Sequence, residues 1–402
     1  MPLIKPFQAL YYSPERIKDF SKVVCPPYDV MDDKEKAKFK RRSPYNFCNI
    51  LTTDRNNNYR KLKSKFLRWV KDGILIQDEA PCLYLYQQKF KAALKTYVRT
   101  GILCLLRIDK DGLVYPHEHT FGAPKRDRYY ILKELKANLS PIFVIYPNRL
   151  PLLRFLSSRY HEKSFFMRFD DSSGVRNKVW RISDFNIIKK VQKSLAKEKL
   201  FIADGHHRFE VARKYFEKRG GKLKNANYIL AYFTDATNGL LILPTHRIVK
   251  TNHTAEAVLK KLSCRFDILG VNKRRFSGIF AGGRKDKAVF GLYAKDNYYL
   301  FYLKKSVVLD RIFKKEEAVY KDLDVSILHK LALSLLGESD ISYTHSLDEA
   351  VKGAKGERVA FILRPTPLET VFTMAKKGYR FPQKSTYFYP KLLSGIVIRR
   401  LQ

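Results

Sequence analysis

The residue types best suited to chemistry in this chain of 402 residues stand together in Ala203–Arg208, which reads Ala-Asp-Gly-His-His-Arg. The residues before Asp204 are apolar and predict a strand, Gly205 permits a tight turn, and the residues that follow predict a helix over 206–219. The first turn of a helix presents unpaired N–H groups and the positive end of the helix dipole, and both attract phosphate. This segment therefore predicts an anion site at a strand-to-helix turn.

Three side chains of this turn suit a phosphoryl group. The guanidinium of Arg208 is a planar fork that matches phosphate oxygens. The imidazoles of His206 and His207 can donate hydrogen bonds to charge that builds up during a transfer reaction. Because these histidines are adjacent, they point in different directions on a helix and are not expected to share a metal ion. The alternative is that Asp204 simply caps the helix and that the histidines face solvent or core.

Imidazoles and a carboxylate also alternate in Pro116–Thr120, which reads Pro-His-Glu-His-Thr. Two histidines separated by one residue could ligate zinc in an extended loop. The nearest further soft ligand is Cys104, which lies in an apolar stretch that predicts a strand. A zinc site is therefore not expected here.

A site for a hard cation or a phosphate fits the same loop and the residues after it better. Glu118 and Asp127 offer the oxygen ligands that Mg²⁺ prefers. His117, Lys125 and Arg128 could contact phosphate oxygens. The alternative is that the segment is an ordinary surface loop.

The segment Val24–Val30 reads Val-Cys-Pro-Pro-Tyr-Asp-Val, and its two prolines stiffen the backbone before Asp29. A carboxylate held rigidly in space is what a general base for a hydroxyl group requires. The alternative is that Asp29 helps to cap a helix that begins near Asp32. Cys25 is expected to be a buried small side chain rather than a nucleophile.

Two further segments are rich in polar side chains. Leu243–Arg247 follows a predicted strand, and Pro382–Lys391 mixes polar and aromatic residues but lacks the glycines of a P-loop. Aromatic residues in such a segment belong to a core more often than to a base-stacking platform. The side chains in Pro382–Lys391 that could grip phosphate are Lys384, Ser385 and Thr386. The dinucleotide-binding, α/β-hydrolase and zincin motifs do not occur in the sequence.

The composition limits the class of protein and its environment. Lys and Arg number 78 and Asp and Glu 39, which gives a net charge of +39 that attracts polyanions. The basic residues are spread over several helix-like stretches and form no arm, so most of them are expected to be solvated surface. Five widely spaced cysteines without a Cys-x-x-Cys pair argue against a disulfide framework. No run approaches the roughly 18 apolar residues of a membrane helix, and no signal peptide is visible. We therefore expect a soluble, cytoplasmic chain.

Helical and strand patterns alternate along the whole chain without an internal repeat. Tyr59, Leu62, Phe66 and Trp69 recur at helical spacing, so 59–70 is predicted to be an amphipathic helix. Apolar stretches such as 141–146 and 227–234 predict strands, and a helix that carries Leu328, Leu331 and Leu335 is predicted over about 325–336. The mixture predicts a mixed α/β fold, with one domain over 1–250 and a further α/β part over 251–402.

Taken in order, these segments resemble the pyrophosphate-dependent serine kinase family, long catalogued only as a domain of unknown function. The resemblance covers nearly the whole chain, which makes it more specific than any single motif. The matching segments are Ile4–Phe7, Pro26–Val30, Arg42–Asn46, Pro116–Thr120, Ala137–Phe143, Ala203–Arg208, Leu243–Arg247, Leu323–Ser326 and Lys384–Lys391.

The resemblance implies a fold and an activity. The core would be that of the ParB-like serine kinases, and the reaction would transfer a phosphoryl group from inorganic pyrophosphate to free L-serine, with Mg²⁺. The turn that begins at Asp204 would hold the donor phosphates, and Asp29 would be the first choice for the base, with Asp204 and Glu118 as rivals. The residues expected to contact the acceptor are Tyr28, Asn138, Ser140, Thr245, His246 and Arg247.

Other functions stay open at this point. Relatives use ATP or ADP as the donor, and the same site could consume phosphoserine in the reverse direction. ParB-like folds also bind nucleic acids and nucleotides, and the charge of +39 favours that idea. Against it, the sequence shows neither a helix-turn-helix pattern nor a clustered basic arm. The oligomeric state is left open.

Overall fold

The chain divides into two units. The computed structural model describes residues 2–53, 58–92, 95–108, 112–120, 122–148, 151–160, 165–219, 225–281, 288–313, 320–321, 323–337, 340–382 and 384–401. Unit 1 consists of Met1–Leu241 and Pro390–Gln402, and unit 2 consists of Ile242–Tyr389. The sequence predicts a domain boundary near residue 250, with all of the later residues in one part. The last residues instead lie in unit 1, because Arg399–Arg400 pairs with Ala137–Asn138.

Unit 1 contains the larger sheet. Its strands within the described residues are β1 (Ile4–Lys5), β2 (Leu10–Tyr12), β3 (Leu75–Gln77), β4 (Leu83–Ala92), β5 (Lys95–Arg107), β6 (Val114–Tyr115), β7 (Ala137–Asn138), β8 (Ile142–Tyr146), β9 (Met167–Asp170), β10 (Arg176–Ile182), β11 (Leu200–Asp204), β12 (Tyr228–Asp235) and the last strand, β21 (Arg399–Arg400). The order in the sheet is β6-β11-β8-β12-β5-β4-β10-β9, with β1 beside β5. β11 is parallel to β6 and β12 is parallel to β8, whereas the other pairs are antiparallel, so the predicted mixed α/β class is confirmed.

Helices of unit 1 bury their apolar sides against this sheet and against each other. They are α1 (Asp33–Arg42), α2 (Cys48–Leu51), α3 (Tyr59–Lys71), α4 (Gly122–Leu135), α5 (Pro151–Tyr160), α6 (Phe185–Leu195) and α7 (His206–Arg219). The predicted amphipathic helix is confirmed in α3, where Leu62, Phe66 and Trp69 are buried. The basic residues of α3 take the other sides, because a helix repeats every 3.6 residues or so.

Unit 2 has its own antiparallel sheet. Its strands are β14 (His246–Lys250), β15 (Phe266–Val271), β16 (Phe290–Ala294), β17 (Asn297–Leu303), β18 (Ile341–Thr344), β19 (Arg358–Ile362) and β20 (Tyr387–Tyr389), while β13 (Leu241–Leu243) spans the division between the units. Six of them form a sheet in the order β15-β17-β16-β19-β14-β18. The helices are α8 (Ala255–Leu262), α9 (Lys273–Ala281), α10 (Leu309–Ile312), α11 (Asp324–Ile327), α12 (Ser334–Leu336), α13 (Leu347–Gly353) and α14 (Leu368–Lys376).

One predicted helix differs from its expected form. The sequence predicts a single helix over 325–336, and the structure has α11, a π-helical segment over Leu328–Leu333 and then α12. The leucines that suggested the helix are still used, since Leu328 and Leu331 are fully buried. The helical segment ends at Gly337, whose φ of 68° is the left-handed conformation that favours glycine.

Candidate functional site

The predicted strand-to-helix turn is present in unit 1. Strand β11 ends at Asp204 and α7 begins at His206. Gly205 between them has a φ of +90°, and a Cβ there would lie 3.0 Å from Arg208 Cζ and from Ile142 Cγ2. Glycine suits this position best, since other residues rarely adopt such a φ and a Cβ would make tight contacts here.

Asp204 holds two cations at the start of α7. Its Oδ1 lies 2.5 Å from Nζ of Lys391, and its Oδ2 accepts a hydrogen bond from Nη2 of Arg208 at 2.7 Å. The side chains are 15%, 11% and 12% exposed for Asp204, Lys391 and Arg208, respectively. Burial alone would raise the pKa of Asp204, but these two cations hold it well below its usual range. We call the three residues the Asp204 cluster, in which the carboxylate is a poor proton acceptor.

Arg208 is fixed by the protein on two sides. Its Nη1 donates to the carbonyl oxygen of Pro141, and its Nη2 donates to Asp204. The Nε is buried and has no hydrogen-bond partner within the part of the chain that the structure describes. The guanidinium of Arg208 is therefore held in one orientation, and it adds positive charge at the start of α7.

The backbone around Lys391 is held in place by the buried Arg99 and by Gln88, and this allows Lys391 to contact Asp204. Arg99 on β5 is fully buried and donates to the carbonyl oxygen of Pro390 and to the side-chain oxygen of Gln88. Gln88 on β4 donates from Nε2 to the carbonyl oxygen of Lys391 at 3.3 Å. The sequence marked Pro382–Lys391 but gave Lys391 no role, since no local pattern shows that it meets a residue 187 positions earlier.

Tyr28 and Asp29 stand in a 3₁₀ turn, Tyr28–Val30. The guanidinium of Arg128 lies 3.9 Å from the centre of the Tyr28 ring. The Tyr28 hydroxyl is buried and has no hydrogen-bond partner among the described residues. Burial, and after it the charge of Asp29, raises the pKa of Tyr28. Asp29 is exposed.

The capping alternative for Asp29 does not hold. Helix α1 is capped by Asp32, whose side chain accepts from the backbone N–H of Glu35, while the Glu35 side chain accepts from the backbone N–H of Asp32. This reciprocal capping box satisfies the start of the helix. The carboxylate of Asp29 is therefore not required to cap the start of α1.

A small cavity of about 50 Å³ connects several of the predicted residues. Its lining includes Tyr28, Arg128, Asn138, Ser140 and Arg208. The side chains of Asn138 and Ser140 also make hydrogen bonds within unit 1. Asn138 Oδ1 accepts from the backbone N–H of Leu230 at 3.2 Å, and the Ser140 and Ser394 hydroxyls lie 2.6 Å apart.

Both carboxylate oxygens of Asp127 accept hydrogen bonds from neighbouring side chains. Its Oδ1 accepts from the hydroxyl of Tyr59 at 3.1 Å, and its Oδ2 accepts from Nε of Arg128 at 3.0 Å. Arg128 also donates to the carbonyl oxygen of Leu51 at 2.8 Å. Both carboxylate oxygens of Asp127 are thus engaged. Among the described residues, no group of three or more His, Cys, Asp and Glu side chains could hold a metal ion.

The loop Pro116–Thr120 is attached to the start of α7 by two histidines. The rings of His117 and His206 are perpendicular with centroids 4.6 Å apart, and both residues are buried. The backbone N–H of His117 donates to Nε2 of His206 at 3.2 Å. His206 therefore positions the loop, and its Nε2 is used within the protein. The half-buried Glu118 lies in the same loop.

Glu210 makes a second attachment that the sequence did not indicate. One of its oxygens accepts from the Thr120 hydroxyl at 2.6 Å and from Nζ of Lys125 at 3.1 Å. Burial lowers the pKa of the neighbouring His207, while the negative charges of Asp29 and Glu210 oppose this shift. Glu210 lies one helical turn after His206, and this spacing is the only signal in the sequence that relates it to the histidines.

The remaining predicted residues lie in unit 2. Arg247 donates to the carbonyl oxygens of Thr245 and Lys384, the latter at 3.2 Å. His246 accepts from the backbone N–H of Leu363 at 3.3 Å, and burial lowers its pKa to about 3. These contacts connect loops of the unit. The predicted residues found here are Thr245, His246, Arg247, Lys384, Ser385 and Thr386.

A glycine turn that leads into a helix N-terminus is one of the arrangements with which α/β proteins bind phosphate. The chain belongs to the family described as "Protein of unknown function (DUF1015)", whose profile matches residues 4–326. The membership predicted from the motifs is thereby confirmed. Within the described residues, no helix combines the length and the apolar character needed to cross a membrane.

Several solved structures are similar to this chain at low sequence identity. A free serine kinase in complex with AMP is 14% identical with a TM-score of 0.39, over 71% of this chain and 86% of that one. A conserved hypothetical protein from Pyrococcus furiosus is 14% identical with a TM-score of 0.37, over 72% and 92%. SbnI from Staphylococcus aureus, truncated at its C-terminus, is 11% identical with a TM-score of 0.39, over 73% and 85%. No curated protein matches the sequence.

Proposed function

We propose that the protein is a kinase that transfers a phosphoryl group from inorganic pyrophosphate to the hydroxyl group of free L-serine. The observation that carries the proposal is the Asp204 cluster, which places Lys391 and Arg208 at the N-terminus of α7. The family motifs supply the identity of the donor and the acceptor. Phosphoryl transfer depends mainly on positioning and on neutralising charge, and this turn supplies both.

The donor would bind at the turn. The first backbone N–H groups of α7 have no partner within the helix, and they point in the direction from which the dipole attracts anions. Lys391 and Arg208 add positive charge close to these groups. Pyrophosphate has no base or sugar to recognise, so its affinity must come from such contacts.

The acceptor would be activated by Asp29. The serine Oγ would form a bond to the transferred phosphorus while the bridging P–O bond of pyrophosphate breaks and inorganic phosphate leaves. The hydroxyl proton would pass to the carboxylate of Asp29. Asp29 is favoured over Asp204 because the cations around Asp204 keep it ionised and weakly basic. Glu118 remains the rival to Asp29.

Magnesium is also part of the proposal. When bound, Mg²⁺ would neutralise charge on the donor phosphates. Of the two carboxylates predicted as its ligands, Glu118 is preferred, because both oxygens of Asp127 already contact Tyr59 and Arg128.

The reaction can be tested by measuring O-phosphoserine after incubation with L-serine and one donor at a time, with and without Mg²⁺. We expect product with pyrophosphate. Product with ATP or ADP alone would correct the donor, and phosphoserine breakdown exceeding synthesis would reverse the direction. The absence of product with every donor would contradict the proposal.

Replacing Asp29 with Asn tests the base. We expect turnover to fall by about 10²–10⁴-fold, the usual contribution of a general base, with pyrophosphate affinity nearly unchanged. Asp72→Asn is the matched control, since Asp72 is an exposed aspartate at the end of α3. Near-normal turnover in Asp29→Asn would move the base to Glu118.

A further inference from the structure

An open cleft of about 750 Å³ lies between α4 and α7 of unit 1. Its walls include Lys125 and Arg126 from α4, and Lys214 and Lys218 from α7. Small-molecule sites typically occupy about 300–1,000 Å³, so this volume is suitable for a ligand. The cleft is much larger than the cavity of about 50 Å³ beside Tyr28.

The carboxylates of the cleft already have basic partners. Glu210 accepts from Lys125 at 3.1 Å, and Glu217 lies 3.8 Å from Arg213 one turn earlier. Both glutamates line the cleft together with these partners. Their negative charge is therefore offset locally, and it does not neutralise the other cations.

Three further cations of the cleft lack such a partner. Arg126, Lys214 and Lys218 are exposed, and none of them pairs with a carboxylate of the described residues. Nζ of Lys218 lies instead 5.7 Å from the centre of the Tyr129 ring. Like charges that line one cleft repel each other, and a bound anion would relieve this repulsion.

The shape of the basic wall favours a chain of phosphates. Lys214 and Lys218 lie one helical turn apart on α7, and Lys125 contacts Glu210 one turn before Lys214, so the cations of this wall extend about 12 Å along the helix axis. This length exceeds what a single phosphate requires, and the charges are distributed along it.

Each aromatic ring of the cleft packs against another ring on one side. Tyr129 meets the buried Tyr215 edge-on at a centroid distance of 6.0 Å. Tyr130 stacks on Tyr59 at 5.4 Å and is 46% exposed, so it is the more open of the two rings. Proteins that bind single-stranded nucleic acid stack bases on open aromatic faces over about 4–16 nucleotides. The cleft offers cations more than stacking surfaces, and therefore fits phosphate groups better than bases.

We propose that this cleft binds a linear polyphosphate chain of at least three phosphates, at a site other than the turn at Asp204. The chain could be inorganic or part of a nucleoside triphosphate, since both present the same run of phosphates. The proposal does not depend on the kinase reaction, because it concerns binding alone.

Titration calorimetry of the full chain with inorganic tripolyphosphate tests the proposal. The triple variant Arg126→Glu/Lys214→Glu/Lys218→Glu is expected to bind tripolyphosphate about tenfold more weakly or worse, since three attractions become repulsions. Its affinity for pyrophosphate, which we assign to the turn at Asp204, should stay nearly unchanged.

A matched control separates the cleft from the overall charge. The variant Lys34→Glu/Lys38→Glu/Arg41→Glu reverses three exposed cations of α1 and changes the net charge by the same amount. It should bind tripolyphosphate like the wild type. Circular dichroism of both variants verifies that they are folded.

The outcomes are distinct. Failure of the wild type to bind tripolyphosphate, or equal weakening in both triple variants, would overturn the proposal. A parallel loss of pyrophosphate affinity in the cleft variant would overturn it too. Equal affinities for ATP and tripolyphosphate would support recognition of the phosphates alone, whereas tighter cleft-dependent binding of ATP would support a nucleoside triphosphate. Tighter cleft-dependent binding of a DNA oligonucleotide would overturn it in favour of a nucleic-acid surface.

Discussion

Both units contain an arginine that donates to a carboxylate and to a backbone carbonyl oxygen, and in unit 1 a lysine joins the same carboxylate. In unit 1, Arg208 shares the carboxylate of Asp204 with Lys391 at a helix start. In unit 2, Arg247 donates to two backbone carbonyl oxygens, and Arg364 donates to Asp324 and to a backbone carbonyl oxygen. The cavity beside Arg247 and Arg364 is only about 10 Å³.

We expect this difference to distinguish an anion-binding site from a structural contact. The guanidinium of Arg247 donates to the backbone carbonyl oxygens of Thr245 and Lys384, so Arg247 connects two loops of unit 2. Two cations on one carboxylate at a helix N-terminus instead concentrate positive charge where anions bind. Arginines that look alike in the sequence therefore have different consequences.

The largest expected effect comes from Asp204→Asn. Removing one partner of a buried charge group typically costs about 3–5 kcal/mol, and here two cations lose their carboxylate. We expect a lower free energy of unfolding in urea and a loss of pyrophosphate binding, because Lys391 and Arg208 lose the carboxylate that positions them. Asp324→Asn in unit 2 should also destabilise the protein, since it removes the carboxylate that pairs with Arg364. Loss of pyrophosphate binding in Asp324→Asn as well would break the comparison.

Lys391→Met tests the second cation of the Asp204 cluster. If Lys391 neutralises donor charge, serine phosphorylation should fall by about 10²-fold, the usual effect of losing one such contact. Lys391→Arg should restore part of the rate. The matched control is Lys260→Met, which replaces an exposed lysine of α8 in unit 2. Comparable losses in the two Met variants would remove the distinction between the units.

Gly205→Ala should have a smaller effect that again differs between the units. A φ of +90° is strained for alanine, and its Cβ would lie 3.0 Å from Arg208 and Ile142. Gly337 in unit 2 has a φ of +68° with open space around it. We expect Gly205→Ala to lower the free energy of unfolding by more than the roughly 1–2 kcal/mol of Gly337→Ala. Equal losses would show that strain alone is responsible.

The smallest effect is a difference in acid sensitivity. Burial lowers the pKa of His246 to about 3 and of His329 to about 4. The unfolded chain binds more protons than the folded one between those values and about 6.5, so unit 2 loses stability as the pH falls through this range. The lowered pKa of Asp204 stabilises unit 1 above the usual carboxyl range, and this contribution is lost only at lower pH. Burial also lowers the pKa of His207, but the negative charges of Asp29 and Glu210 oppose this shift.

The two tryptophans, Trp69 and Trp180, both lie in unit 1 and allow the units to be followed separately. Between pH 7 and 5, we expect urea unfolding followed by circular dichroism to shift before tryptophan fluorescence does. His329→Leu should reduce the shift, because the Nε2 of His329 is buried without a hydrogen-bond partner among the described residues. An identical pH response of both signals would argue against this assignment.

The fold class and the turn at Gly205 could be predicted from local sequence patterns. The contacts between residues far apart in the sequence could not. The periodic apolar residues of α3 and the order strand, glycine, helix at Gly205 are set by neighbours in the chain. Lys391 depends on Arg99 and Gln88, which lie about 300 residues earlier. The structural use of Arg247 depends on which carbonyl oxygens surround it, and residue type does not reveal this. The π-helical segment Leu328–Leu333 likewise has no distinct signature in its leucine spacing.

The return of residues 390–402 to unit 1 has a consequence for protein synthesis. Lys391 leaves the ribosome 187 residues after Asp204. At about 5–20 residues per second, this delay is on the order of 10–40 s. During that interval the whole of unit 2 is synthesised, while Asp204 has Arg208 but lacks Lys391. The Asp204 cluster therefore forms only after the sequence of unit 2 has been completed.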